Sequence, residues 1–269
     1  RVLRSCGAQF ALMLENARLT GRVVEQEKLR RDVALAAEVQ RRLLPEKSPE
    51  STVAGLAAVS LPARTVGGDY YDFIQAGDRR IGIALADIAG KGVAAALVMS
   101  VVQASLRIIA AEENVSLPEL AARMNRFLYR STGTNSYATF FYAQLDEQTR
   151  ELRYVNAGHN PPYLLRFAAD IEELAAGGTV IGMFPQASYE EARTQLRAGD
   201  VLVIFTDGVT EALNPGDEEY GEERLKALLR RVAHLPVDEM SAQISGELRA
   251  WISHAAQYDD LTFIVMKVN

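Results

Sequence analysis

Five aspartates lie beside glycine or at the ends of apolar runs, in four separate segments of the sequence. They are Asp69, Asp87, Asp207 and the adjacent pair Asp259 and Asp260. A carboxylate at the end of a buried strand is costly to desolvate unless a cation lies beside it. Oxygen ligands without a histidine or cysteine cluster select Mg²⁺, Mn²⁺ or Ca²⁺ rather than zinc. The pattern therefore predicts that these side chains converge on a divalent metal site.

The last pair of acids leaves a choice of ligand open. Asp259 and Asp260 directly precede the apolar run at residues 261–268. Successive residues of a strand face opposite sides, so only one of the two is expected to face a shared site. The three histidines are dispersed and are interpreted as loop or surface residues rather than ligands: His159, His234 and His254.

The composition is that of a globular protein with one large domain or two small ones. Of its 269 residues, 48% are hydrophobic and 24% are charged. No apolar run reaches the ~18 residues of a membrane span and no signal-peptide pattern opens the chain, which favours a cytoplasmic protein without a membrane partner. Residues 1–47 carry a formal charge of +4 against −10 for the remainder, and so acidic a body argues against nucleic-acid binding.

The N-terminal segment has the pattern of one long helix. Residues 8–44 contain no proline and a single glycine, and apolar residues recur every three to four positions. Such a helix would be about 55 Å long, more than one small domain covers. One heptad position is shared by Leu12, Leu19, Gln26, Val33 and Gln40. A dimer-forming coiled-coil linker is favoured over a helix packed on its own domain. Because the chain begins at Arg1 inside this pattern, we expect a fragment of a longer protein.

After Pro49 the pattern changes to short strands and paired helices. Strands are predicted at residues 56–61, 70–74, 81–86, 138–145, 152–156, 163–167, 201–205 and 261–268, with a hairpin turn at 76–79. Helices are predicted at residues 92–111, 116–129, 222–232 and 237–252, the second of them opened by a capping box at Ser116. Strands in runs and helices in pairs favour helices stacked on antiparallel sheets.

Five motifs resemble, in order, those of the bacterial SpoIIE/RsbU-type branch of the PP2C (PPM) phosphatases. They are Gly-Gly-Asp-Tyr-Tyr-Asp-Phe from residue 67, Ala-Asp-Ile-Ala-Gly-Lys-Gly from 86, Asn-Ala-Gly-His-Asn-Pro-Pro from 156, Phe-Thr-Asp-Gly-Val-Thr-Glu-Ala from 205 and Asp-Asp-Leu-Thr from 259. The resemblance implies an α+β fold, an αββα sandwich of two mainly antiparallel sheets flanked by helix pairs, over residues 46–269. Residues 1–45 would be a long N-terminal linker helix, which resembles the end of a GAF sensor domain.

The resemblance also implies two Mn²⁺ or Mg²⁺ ions between the sheets. Asp87 would bridge both ions, and the Ile88 carbonyl would bind one of them. The remaining ligands would be Asp69, Asp207 and Asp259, with Asp260 as the alternative. Water activated by the metals would then attack a phosphoserine or phosphothreonine in line.

Two positions bear on how the phosphate is bound and how the leaving group is protonated. Many eukaryotic relatives have a histidine, proposed as a general acid, where this sequence has Ala89, so the leaving group must take its proton from elsewhere or from water. Arg64 precedes the first metal aspartate and is the candidate phosphate-binding residue, with a plain surface arginine as the equal alternative. Residues 156–162 are interpreted as a structural turn.

The resemblance predicts a phosphatase of a stress-signalling or sigma-factor pathway. Its substrate would be a phosphorylated anti-sigma-factor antagonist, and the N-terminal helix would form a homodimer and relay a signal from an upstream sensor domain. The alternative is a catalytically inactive phosphatase fold that acts as a binding module. Residues 67–73 also resemble the Gly-Gly-Asp-Glu-Phe signature of diguanylate cyclases, but Tyr70 replaces its functional glutamate. Residues 89–92 lack the upstream glycine and final Ser/Thr of a P-loop.

Overall fold

A computed structural model describes residues 2–77, 79–112, 114–133, 136–166 and 170–269. Its helices are α1 (Val2–Leu43), α2 (Val93–Ala110), α3 (Leu117–Ser131), α4 (Asp207–Thr210), α5 (Glu222–Val232) and α6 (Val237–Ile252). Its strands are β1 (Ala54–Leu61), β2 (Tyr70–Gln75), β3 (Arg80–Ile88), β4 (Ala138–Asp146), β5 (Glu151–Ala157), β6 (Tyr163–Leu165), β7 (Ile171–Glu173), β8 (Gly177–Gly178), β9 (Ala192–Gln195), β10 (Val201–Phe205) and β11 (Leu261–Val268).

The strands form two sheets. One has the order β1-β11-β10-β6-β7, and the other has the order β2-β3-β4-β5-β8 with β9 also paired to β5. The pairings are antiparallel except for the short contact between β5 and β8. This arrangement confirms the predicted pair of mainly antiparallel sheets.

The sequence of strand β3 is almost entirely apolar from residue 81 to residue 86. Ile81, Ile83 and Leu85 lie in the core between the two sheets. The alternate residues Ala84 and Ala86 face the opposite way, into the core formed with α2 and α3. Because both faces of this strand are buried, both sets of positions are apolar.

Helices cover the outer face of each sheet. Helices α2 and α3 pack on the β2-β3-β4-β5 sheet through buried side chains such as Met99, Leu106 and Leu120. Helices α5 and α6 pack on the β10-β11 sheet through residues such as Leu229 and Ile244. The layers are therefore helix, sheet, sheet, helix, and the predicted αββα sandwich is confirmed.

Most predicted elements appear within a few residues of their expected bounds. The N-cap of α3 is confirmed, since the Ser116 hydroxyl accepts a hydrogen bond from the Glu119 amide at 3.4 Å. The Glu119 carboxylate instead accepts from the Arg123 Nε at 2.8 Å, so only the serine half of the predicted capping box is seen. The sequence did not predict β7, β8, β9 and the one-turn α4, which are two to four residues long and lack an apolar period. The predicted hairpin turn includes Asp78 and the predicted sixth strand includes Phe167, and both of these residues lie outside the described part of the chain.

Helix α2 combines exposed and buried apolar surface. It is the one helix of the described residues that is long and apolar enough to cross a membrane. Met99, Val102 and Leu106 are nevertheless buried in the core. Arg107 near its C-terminus forms an ion pair with the fully buried Asp72 of β2, with Nε 2.7 Å from Oδ2. The helix is thereby held on the sheet by both apolar packing and a charge pair.

Helix α1 divides into an exposed part and a packed part. Its apolar side chains before Val33 include Leu19, Val23 and Leu29, which are exposed. Near its C-terminus, Ala37 is buried against Val66 and Ala96. The single chain thus packs the end of the helix on its own domain and leaves the earlier apolar side chains without a partner among the described residues.

Candidate metal centre

The five aspartates lie at strand ends along one edge of the sandwich. Asp69 immediately precedes β2, Asp87 is the penultimate residue of β3, and Asp207 follows β10 as the first residue of α4. Asp259 and Asp260 immediately precede β11. Strands β2 and β3 belong to one sheet, and β10 and β11 belong to the other. The edge therefore gathers carboxylates from both layers.

The electrostatics of Asp87 show that these carboxylates lie close together. Burial, followed by the charges of Asp207, Asp259 and Asp260, raises its pKa to about 7. Burial also raises the pKa of Asp69 well above its usual range, and the charge of Asp87 adds to the effect. Mutual repulsion of this kind is relieved when a cation lies among the acids.

Asp69 is fixed by a contact that the sequence did not predict. Its carboxylate is buried and accepts a hydrogen bond from the Thr206 hydroxyl at 2.9 Å. Thr206 is fully buried at the end of β10, directly before Asp207. One residue pair therefore joins the start of β2 in one sheet to the end of β10 in the other.

The Ile88 carbonyl lies beside the glycine pair that precedes Asp69. A Cβ atom on Gly68 would stand 3.2 Å from the Ile88 carbonyl oxygen. A Cβ atom on Gly67 would meet the Asp260 carboxylate at 2.7 Å. The chain passes so close to these oxygens that a side chain at either position would force them to shift. The Gly-Gly pair is thus a close-approach segment and not only a turn.

The structure distinguishes the two acids of the last pair. Both Asp260 oxygens accept backbone hydrogen bonds, from the Ala63 amide at 2.7 Å and the Gly68 amide at 2.5 Å. Asp259 is partly exposed and pairs with Lys91, with Nζ 2.6 Å from Oδ2. Asp260 therefore anchors the loop before β2, which leaves Asp259 as the candidate ligand of the pair.

This division predicts different effects for two substitutions. Asp260→Asn is expected to lower the free energy of unfolding by about 2 kcal/mol, because one of the amides loses a charged acceptor. Asp259→Asn is expected to change stability by less than about 1 kcal/mol, since its ion pair is at the surface, and to weaken Mn²⁺ binding by about tenfold or more. Urea unfolding of the metal-free chain and titration calorimetry with Mn²⁺ measure the two effects. A larger stability loss for Asp259→Asn would reverse the assignment.

The donor set fits a hard divalent cation. The candidate ligands are the carboxylates at the strand ends and the main-chain carbonyl of Ile88. Oxygen ligands of these kinds suit Mg²⁺ or Mn²⁺. Within the described ranges, no three acidic, histidine or cysteine side chains already form a closed chelating group. Asp259 is engaged with Lys91, and Asp260 with backbone amides.

Two cationic side chains flank the acidic edge. Burial raises the pKa values of Asp87 and Asp207, and the charge of Lys91 opposes this rise, so Lys91 lies within their electrostatic reach. Arg64 is exposed, and its Nη1 lies 3.9 Å from where a Cβ atom on Gly92 would stand. Arg64, the predicted phosphate-binding residue, therefore lies at the rim of the acidic edge, beside the start of α2. Sequence reasoning did not single out Lys91, although it belongs to the same motif as Asp87.

His159 is buried and does not lie at the surface. Its Nδ1 is 2.7 Å from the Thr139 hydroxyl, and Thr139 pairs with Asp87 across β3 and β4. The Asn156 side chain bonds both the amide and the carbonyl of His159, at 2.7 and 3.0 Å. With Gly158 at a φ of 68°, these contacts confirm the structural turn. His159 therefore lies in a loop, as predicted, but it is buried and not at the surface.

Comparison with known proteins gives a matching family model. The model for stage II sporulation protein E (SpoIIE) matches residues 77–269. The chain is 30% identical over 245 residues to phosphoserine phosphatase RsbU of Bacillus subtilis, covering 90% of this chain and 71% of the relative. It is 30% identical to protein IcfG of Synechocystis, covering 86% of this chain and 40% of that protein. The chain thus spans well under two thirds of the second relative.

Solved structures share the fold. The PP2C domain of SiaA from Pseudomonas aeruginosa superimposes with a TM-score of 0.80 at 22% identity, covering 91% of this chain and 98% of that one. The RsbU and RsbW domains of a Mycobacterium tuberculosis protein give a TM-score of 0.71 at 26% identity, covering 82% of this chain and 61% of that one. A magnesium complex of RsbX gives a TM-score of 0.63 at 18% identity, covering 83% of this chain and 99% of that one.

Proposed function

The chain belongs to the SpoIIE family of PP2C-type protein phosphatases, and from this premise we propose that it hydrolyses phosphoserine or phosphothreonine on a signalling protein. Phosphatases of this family are metal-dependent. The observation that carries the proposal is the convergence of carboxylates from both sheets on Asp87, whose pKa they raise to about 7 together with burial. A buried cluster with this much unbalanced negative charge is suited to divalent cations.

We assign the ligands from their positions at this edge. Asp69, Asp87, Asp207 and Asp259, with the Ile88 carbonyl, would hold two Mn²⁺ or Mg²⁺ ions. When bound, such ions neutralise charge on phosphoryl oxygens and lower the pKa of water. Asp260 would hold the loop that carries Asp69, through the Ala63 and Gly68 amides.

The remaining residues orient the phosphate and leave protonation to solvent. Arg64 and Lys91 would present positive charge to the phosphate at the rim. Ala89 cannot donate a proton. His159 is buried at 5% exposure, and its Nε2 has no hydrogen-bond partner among the described residues. We therefore propose that water protonates the leaving serine or threonine oxygen.

A phosphorylated anti-sigma-factor antagonist is the substrate that we propose. The support is similarity to proteins named RsbU and RsbP, both phosphoserine phosphatases of Bacillus subtilis. It also includes a structural neighbour that joins RsbU and RsbW domains. Regulation would then follow the partner-switching pattern, in which phosphorylation of the antagonist determines which partner protein it binds. A cytoplasmic location belongs to the same proposal.

The direct test is a phosphatase assay in Mn²⁺ across candidate phosphoproteins, with p-nitrophenyl phosphate as a general substrate. We expect metal-dependent release of phosphate and a preference for a phosphorylated antagonist protein. Hydrolysis of p-nitrophenyl phosphate without that preference would remove the substrate assignment and keep the enzyme class. An absence of hydrolysis from every substrate would favour the inactive binding module.

We also propose that residues 1–45 form a linker between an upstream GAF-like sensor and a phosphatase domain at 46–269, and that this linker dimerises. The support is the exposed apolar side chains of α1, among them Leu19 and Val23. Light scattering should give twice the chain mass of 29.5 kDa. Leu19→Glu should return it to a monomer, whereas Lys28→Glu, about two and a half turns further along and therefore on the opposite face, should not. A wild-type chain of monomer mass would contradict the proposal.

A further inference from the structure

Near its C-terminus, α1 forms hydrogen bonds with the loop before β2 through the side chain of Gln40. Its Nε2 donates to the Gly67 carbonyl at 2.7 Å, and its Oε1 accepts from the Gly67 amide at 3.1 Å. The two residues are far apart in sequence, and the contact is partly buried. A side-chain amide that binds both polar groups of one backbone residue fixes that residue in position and in orientation.

The segment that Gln40 holds leads directly to Asp69. Gly67 and Gly68 have no side chains with which to pack, so their position depends on groups from other elements. Gly68 donates its amide to Asp260, and Asp69 accepts from the Thr206 hydroxyl. The loop before β2 is thus held from three directions, and α1 provides one of them.

The part of α1 around Gln40 is itself firmly placed. Ala37, one turn earlier, is 8% exposed and packs against Val66, the neighbour of Gly67. The Tyr71 hydroxyl donates to the Pro45 carbonyl at 3.3 Å, just after the helix ends. One cavity is lined by both Gln40 and Asp69.

We propose that Gln40 is a positioning residue for the metal centre. Its amide holds Gly67 so that Asp69 faces the other acids, and α1 therefore forms part of the site. This role rests on the proposed function, since it assumes that Asp69 is a metal ligand. Gln40 makes its contacts with the backbone of Gly67, so its effect on the ions is indirect.

Replacing Gln40 should weaken metal binding more than it weakens the fold. Gln40→Met keeps the length of the side chain and removes both hydrogen bonds to Gly67. Groups that orient a ligand typically contribute about 10–100-fold to metal affinity, and we expect a loss of about tenfold here. Gln26→Met is the matched control, because it makes the same change at an exposed residue of the same helix. Gln26 also shares the heptad position of Gln40, so any effect on helix pairing is common to both variants.

The experiment is titration calorimetry of Mn²⁺ into the wild-type chain and both variants. Gln40→Met should bind Mn²⁺ about tenfold more weakly than Gln26→Met, with thermal midpoints of the two metal-free variants close together. An affinity within twofold of that control would overturn the proposal. So would an equal loss of affinity in both variants, because the contact with Gly67 would then not be its source.

Hydrogen exchange in the metal-free chain tests the contact without any ion. We expect the amides of residues 66–69 to exchange faster in Gln40→Met than in Gln26→Met, while the β3 and β4 amides stay protected in both. Unchanged exchange at residues 66–69, or exchange that rises throughout the chain, would overturn the positioning role. If the wild-type chain bound no Mn²⁺, the proposed function would fail, and the exchange result would still decide whether Gln40 orders the loop.

Discussion

Asp87→Asn and Asp207→Asn should each lower the turnover of Mn²⁺-dependent phosphate hydrolysis by about a thousandfold or more, equivalent to about 4 kcal/mol of barrier. Asp87 is the acid on which the charges of Asp207, Asp259 and Asp260 converge. Asparagine keeps the shape of the side chain and removes one of the charges that would hold the ions. Because the proposed chemistry depends on those ions, either substitution should abolish most of the rate.

The measurement is turnover on p-nitrophenyl phosphate and on a phosphoserine protein at saturating Mn²⁺. Asp238→Asn is the matched control, since Asp238 is an exposed residue in the first turn of α6, and it should keep wild-type turnover. Unfolding curves of the metal-free variants would show that the fold survives. Turnover of Asp87→Asn within tenfold of wild type would contradict the assignment of Asp87 as the central ligand.

The second large effect concerns His159 and stability at acidic pH. Burial lowers the pKa of its ring to about 4, and the nearby Phe205 backbone opposes this only in part. The unfolded ring titrates near its ordinary value of about 6.5. Between those values the unfolded chain binds a proton that the folded ring does not, so stability falls as the pH falls through this window. The loss is about 3 kcal/mol between pH 6.5 and pH 4.

Comparison of wild type with His159→Gln isolates this effect. The raised pKa values of Asp69 and Asp87 act in the opposite direction, because the folded acids take up protons first and lose their repulsion. Both chains share those acids, so the difference in unfolding free energy between them reports the histidine. The variant should gain about 3 kcal/mol relative to wild type on going from pH 7 to pH 4. His254→Gln, at an exposed position, should follow wild type, and parallel curves for His159→Gln would contradict the prediction.

The elements with strong periodicity could be predicted from the sequence. Helices α5 and α6 and strand β11 have the expected bounds, because long apolar periods decide them. Strands β8 and β9 could not be predicted in this way. Gly177–Gly178 has no side chains to form a pattern, and Ala192–Gln195 is held by pairing with β5 rather than by a buried face. Such strands depend on neighbours that are distant in sequence.

The acids of the candidate site could be predicted as a set, but their separate roles could not. Strand alternation indicates that one of Asp259 and Asp260 faces the site, and it does not indicate which. That choice depends on the Ala63 and Gly68 amides, which lie almost two hundred residues earlier in the chain. Gln40 shows the same limit of local pattern, since its heptad position suggests a helix seam while its side chain binds Gly67.

Binding of divalent metal is the most direct test of the central claim. Titration of Mn²⁺ into the purified, metal-free chain should show saturable binding of two ions per chain. The same titration of Asp87→Asn should show weak binding or none, because the charge on which the other carboxylates converge has been removed. A wild-type chain that binds no divalent metal, or an Asp87→Asn chain that binds it as well as wild type, would contradict the account.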